Sequence, residues 1–156
     1  MNVLASLDAL APWQAAALVL AISLGAAVVA EFVVIRAARR FVTRTETGLD
    51  GIALAGLRLP LVASLALAGV FALTRIDGVV AAVPVSAAAL EAFFGDPALT
   101  LVVVLWAWGL NETVNRGVDY LQEQGARYDF APVFSNVWTL VVAVGTVGTV
   151  LYIWAI

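Results

Sequence analysis

The chain has no cysteine, no histidine and no lysine. Without cysteine there is neither a disulfide nor a thiolate nucleophile. Without histidine there is no imidazole for proton transfer near neutrality, and the usual zinc ligand sets are missing. Without lysine, Schiff-base chemistry is excluded. The Ser and Asp residues are scattered, with no Ser–base couple and no paired Asp. An enzyme is therefore not expected, and neither is a cofactor or a metal. Charge is scarce too. Only 12% of the 156 residues are charged, about half the share of a soluble domain. All eight basic residues are Arg, and the net charge is −3. Nucleic-acid binding is not expected, because the one basic cluster abuts a long apolar run. The acidic, Lys-free balance suggests a salt-rich habitat.

Apolar residues are abundant, at 63% of the chain. A soluble core has no room for so many, so most must face lipid or pack on each other within lipid. The length suits one domain with four spans of about 20 residues each. The expected fold is all-α: a single integral membrane domain over 1–156. It has four transmembrane helices arranged as two helical hairpins, with a short interfacial helix between them.

The first run, Trp13 to Ile35, is interrupted only by Gln14, Ser23 and Glu31. The basic residues after it keep helical spacing, which predicts a first helix over 13–47. Asp50 is a candidate N-cap for a second helix over 51–74, which contains Arg58 and Pro60. The stretch 84–94 is apolar but short, follows Pro84 and carries Glu91, so it is read as lying in the interface. Gly95-Asp96-Pro97 is a helix-start signal for a third helix over 97–124. The fourth is expected over 131–156. Met1 to Pro12 carries Asp8 and no Arg, unlike a secretory signal, and is expected to be retained.

Basic residues gather in the first and third connections, and only Arg75 falls in the second. The positive-inside rule then predicts a multi-pass plasma-membrane protein with both termini outside. Trp13, Tyr152 and Trp154 fall at the outer interface on this reading.

Several residues are candidates for function. Arg36, Arg40 and Arg44, with Arg39 beside them, form an i, i+4 stripe suited to lipid phosphates. Glu31 is ionisable within a span, so an ion or proton path competes with a simple Arg pair. Glu112 and Arg116 stand four apart and are expected to pair. Small residues also recur four apart: Ala21 and Gly25; Ser64, Ala68 and Ala72; Gly145 and Thr149. Such stripes let helices approach closely in lipid.

Thr43-Arg-Thr-Glu-Thr47-Gly-Leu-Asp50-Gly, followed by Leu54 and Leu57-Arg58-Leu-Pro60-Leu61, resembles a connection in multi-helix members of the small-conductance mechanosensitive channel family. That connection carries a basic-Thr-x-Thr-x-x-Asp-Asp stretch before an Arg-x-Pro-Leu pattern; here Gly51 replaces the second Asp. Tyr128-Asp129-Phe-Ala-Pro132-Val-Phe, with Gly145 beyond it, resembles the approach to the last helix before that family's pore helix. An offset of 79 residues superposes Asp50 on Asp129, and internal hairpin repetition is expected of that sensing region. The resemblance implies a tension-sensing transmembrane region, a truncated or excised piece that precedes the pore helix and the cytoplasmic β-rich domain. Its implied partners are the lipid bilayer and either further copies of the chain or other membrane subunits. A four-helix accessory or scaffold protein, or a small transporter subunit using Glu31, is the alternative.

Overall fold

The computed structural model describes residues 10–42, 48–124 and 131–154. The elements are α1 (Pro12–Val42), α2 (Leu49–Leu73), α3 (Asp77–Ala82), α4 (Ala87–Leu90), a π turn (Glu91–Gly95), α5 (Asp96–Glu123) and α6 (Ala131–Ile153). Four helical stretches are long and apolar enough to cross a membrane: Pro12–Val34, Leu49–Leu73, Ala87–Glu123 and Ala131–Ile153. They fit a multi-pass membrane protein.

Cross-helix contacts set the arrangement. Gly69 meets Ser23, and Arg58 meets Glu31, so α1 and α2 run antiparallel. Gly56 meets Thr113, Ser64 meets Trp106 and Gly95 meets Phe71, so α2 and α5 are antiparallel as well. Asn115 with Ser135 and Thr100 with Trp154 make α5 and α6 antiparallel. The helices therefore form a row, α1–α2–α5–α6, with α1 and α6 at its edges. The contacts pass through α2 and α5 without a break, so the packing does not delineate two separate hairpins.

Small residues do the packing. Among the described residues, the four long helices bury only Ala15, Ala27, Pro60, Gly69, Ala98, Gly109 and Ala131. Large apolar side chains such as Phe32, Leu140 and Val144 point outward. In water this would be an inverted protein, but lipid tails are as apolar as Leu, so close backbone approach decides helix association. Hydroxyls within the spans are hidden by back-bonding. Ser23, Ser64, Thr100, Thr113, Thr146 and Thr149 each donate to the carbonyl four residues earlier.

The tightest crossing joins α2 to α5. Pro60 has no N–H, which frees the Gly56 carbonyl from its usual partner. Gly109 of α5 comes up to that carbonyl. A methyl group on Gly109 would stand 2.7 Å from the Gly56 oxygen and 2.5 Å from Pro60 Cγ. Gly56 in turn presses on Thr113 Oγ1. Pro60 is fully buried there.

Three local expectations need correction. The second helix begins at Leu49, and Asp50 lies in its first turn rather than capping it. Gly48 takes the capping position, and its N–H donates to Tyr120 Oη of α5 at 3.0 Å. The stretch 84–94 is not a separate interfacial helix. Ala87 onward is helical and runs through the π turn into α5. Gly95-Asp96-Pro97 is accordingly not a fresh start. The Asp96 N–H donates to the Glu91 carbonyl five residues back. That wider turn opens the ladder where the Pro97 ring would press on the Phe93 carbonyl, so the helix continues. The fourth helix reaches Ile153, and 43–47 of the first lie outside the described residues.

The small-residue stripes are also placed differently. Gly25 and Gly145 have nothing within 4 Å of an added methyl, and Ala68 is exposed while Ala72 is half-buried. Ser64 does lie at an interface, and beside Ala68 it is Gly69 that packs on Ser23, 2.6 Å from its Cβ to an added methyl. Gly109→Ala should therefore destabilise the fold by about 1–3 kcal/mol through overpacking, read by reversible unfolding in mixed micelles. Gly25→Ala and Gly145→Ala should change it by no more than about 1 kcal/mol, in the stabilising direction. Equal losses at all three positions would refute this assignment of the crossing.

Candidate functional site

Charge and polarity concentrate toward one end of the row. This end holds the last turns of α1, the start of α2, the C-terminal half of α5 and the start of α6. Arg36 and Arg40 are exposed on α1. Arg39 belongs to the same helix, but its side chain lies outside the described residues, and so does Arg44 altogether. The spacing of Arg36 and Arg40 keeps both on one side of the helix, as a contact with lipid phosphates requires.

Glu31 sits in the last turn of the apolar span Pro12–Val34. Its partner comes from the neighbouring helix. Arg58 reaches it from α2, donating through Nη2 to Oε1. Arg58 is about 14 Å along α2 from Leu49 at helical rise. The antiparallel register of α1 and α2 brings the two levels together. Both side chains stay partly open, 47% for Arg58 and 41% for Glu31. They line a lateral recess of about 390 Å³ with Ala55, Leu59 and Val62.

Glu112 and Arg116 form the expected pair within α5, with Nε donating to Oε1 at 2.6 Å. No hydrogen bond or ion pair among the described residues joins it to Glu31 and Arg58, so the two pairs do not make one continuous charged path. Nor do any three carboxylates gather among the described residues.

The polar end of α5 faces protein, as its composition requires. Ser135 Oγ donates to Asn115 Oδ1 at 2.5 Å, and Thr139 Oγ1 donates to Asn111 Oδ1 at 3.0 Å. At the far end Trp154 Nε1 donates to Thr100 Oγ1 at 3.0 Å. Between these ties α5 and α6 part, leaving an apolar groove of about 330 Å³ lined by Val104, Trp108, Val142 and Val147 among others. Trp138 Nε1 is enclosed with no acceptor among the described residues. On the side opposite the arginine end, Arg75 pairs with Glu91 and lies 5.2 Å over the Phe71 ring.

Sequence reasoning singled out Glu31, Glu112, Arg116 and Ser64 but did not name the partner of Glu31 or the Asn111 and Asn115 ties. A signal was present for the ties. Asn111, Asn115, Ser135 and Thr139 are polar residues at four-residue spacing on two consecutive helices, and such residues in lipid seek one another. Compared with protein-family models, curated proteins and solved structures, the chain matches none.

The α5–α6 ties are open to direct measurement. A double-mutant cycle on Asn115→Ala and Ser135→Ala should give a coupling of about 0.6 kcal/mol, with about 1.7 kcal/mol as the upper bound. Additive losses in micellar unfolding would show that this bond does not hold the helices together.

Proposed function

We propose that the chain is the tension-sensing transmembrane region of a mechanosensitive ion channel of the small-conductance family, a piece that works with a pore supplied by other residues or another chain. The observation that carries this reading is the open row of helices. A closed bundle hides much of its surface from lipid. Among the described residues α1 packs on one long helix and the short α3, α6 packs on α5, and of the 23 residues of α6 only Ala131 is buried. Bilayer thinning changes the mismatch cost of each tilted helix, and that cost acts most directly on helices so exposed. It biases whichever packing tolerates the thinner membrane.

The charge distribution supports an orientation. Arg36, Arg40, Arg58 and Arg116 lie toward one end of the row, and Arg75 toward the other. The positive-inside rule puts the first end in the cytoplasm of a plasma membrane and both termini outside. Trp13, Tyr152 and Trp154 then mark the outer interface, where amphipathic rings sit at headgroup level. Arg36, Arg39, Arg40 and Arg44 anchor the inner end at the phosphates. The offset of 79 residues supports reading α1–α2 and α5–α6 as hairpins of one design. The bilayer is the first partner, and further copies of the chain or other membrane subunits complete the assembly.

One observation favours a second reading, that of a membrane accessory or scaffold protein. The outward face of α6 presents Val137, Leu140, Val144 and Leu151 with Gly145 and Gly148 among them, which suits a partner's helix as well as lipid. A discrete partner retained through purification in mild detergent would favour it.

The test is electrical. Patches of liposomes holding the 156-residue chain, folded and inserted, should stay silent under graded suction. Within a complete channel, joint replacement of Arg36, Arg39 and Arg40 by Gln should raise the tension needed for opening. An unchanged threshold would remove the arginine anchor from the mechanism, and tension-gated current from the chain alone would overturn the sensor-only reading.

A further inference from the structure

The Glu31–Arg58 pair is incompletely satisfied. The carboxylate has two oxygens and the guanidinium five N–H groups. Between them they make one bond, from Nη2 to Oε1, and no other hydrogen bond to either joins from the described residues. Both side chains open into the lateral recess formed with Ala55, Leu59 and Val62. Ala55 and Leu59 are themselves exposed, so the recess faces the membrane rather than the inside of the row. Its depth is that of the last turn of the α1 span, where acyl chains meet headgroups. A carboxylate and a guanidinium held in this setting need further partners of both signs, because unfilled charged groups near hydrocarbon are costly.

We propose that this recess is a binding site for a phospholipid headgroup carrying a phosphate and a primary ammonium, that is, a phosphatidylethanolamine. The phosphate accepts from the N–H groups of Arg58 that Glu31 leaves free. The ammonium donates to the free oxygen of Glu31. The apolar flank of Leu59 and Val62 receives the start of an acyl chain. A choline headgroup keeps the charge but has no N–H to donate, so it loses the Glu31 bond. A glycerol headgroup supplies the anion without the cation. The inference stands on membrane embedding alone and is independent of any response to tension.

The experiment is native mass spectrometry of the whole chain with phosphatidylethanolamine, phosphatidylcholine and phosphatidylglycerol of identical acyl chains. Phosphatidylethanolamine should be retained about tenfold better than phosphatidylcholine, the yield of one charge-assisted hydrogen bond. Glu31→Gln should abolish that preference and strengthen phosphatidylglycerol binding, because Arg58 is left as a bare cation. Ala55→Trp should block the recess and abolish the preference with the ion pair intact. Ala55 is exposed, so this variant decides the matter if Glu31→Gln fails to fold by circular dichroism. Equal retention of the ethanolamine and choline lipids by the unmodified chain would overturn the proposal, and so would a preference that survives Ala55→Trp. Phosphatidylglycerol outcompeting phosphatidylethanolamine in the unmodified chain would reduce the site to an anion contact of Arg58 and overturn it as well.

Discussion

The crossing of α2 and α5 is the constraint on which the row depends. A proline in a membrane helix leaves a carbonyl without its donor, and lipid offers none. Pro60 does this to Gly56, and the fold answers by bringing a glycine of α5 against the same spot. Gly109 has no side chain to hold α5 off, so its backbone lies on Pro60 and on the exposed Gly56 oxygen. Thr113, four residues on, turns its hydroxyl back to the Gly109 carbonyl at 2.7 Å and packs on Gly56. Two glycines, one proline and one threonine thus settle where the central helices touch. With that point set, the antiparallel register follows in both directions: Ser64 reaches Trp106 at 2.8 Å, and Tyr120 reaches Gly48.

Once α2 and α5 are joined this closely, α1 and α6 are left on opposite flanks. Among the described residues each packs on one long helix, α1 touching the short α3 as well, which is why buried positions are so few and so small. The outer helices are held differently. On α1 a serine fits against Gly69, and the Glu31–Arg58 pair lies toward the arginine end. On α6 the ties are hydrogen bonds between uncharged side chains near both ends of the contact. The fold therefore has a close-packed centre, one flank joined through a charge pair and one joined through amides and hydroxyls.

The four spans were legible in the sequence because lipid imposes a simple rule, about 20 apolar residues in a row. The Glu112–Arg116 pair was legible because four residues make one helical turn. The rest depends on register between helices, which local spacing does not carry. Glu31 found its partner in Arg58 because antiparallel packing aligns those two levels. Asp50 lost the capping position to Gly48 because a tyrosine of α5, 72 residues away, accepts that N–H. Pro97 looked like a helix start because a proline inside an α-helix is costly; a π turn upstream lowers that cost and lets the helix run on. The small-residue stripes at Gly25 and Gly145 fall on faces that meet no other helix among the described residues. Alanine is so frequent here that a four-residue period marks every side of a helix. Glycine at that spacing from a proline or a hydroxyl, as in Gly56–Pro60 and Gly109–Thr113, was the more selective signal.

The three helix pairings differ in what must break for them to move. Separating α2 from α5 uncovers the Gly56 carbonyl to lipid and undoes the close fit of Gly109 on Pro60. Separating α1 from α2 parts a carboxylate from a guanidinium at headgroup depth, where water and phosphates stand ready to solvate both. Separating α5 from α6 breaks a few neutral hydrogen bonds near the ends, while the middle of that pairing is already a groove of about 330 Å³. Thr100 and Thr146 keep their back-bonds when the gap widens, while the Ser135 and Thr139 hydroxyls and the Trp154 indole N–H are left to find new acceptors. The ranking follows from the chemistry of each contact: the centre is committed to one arrangement by its backbone, and the freedom of the fold lies at its flanks.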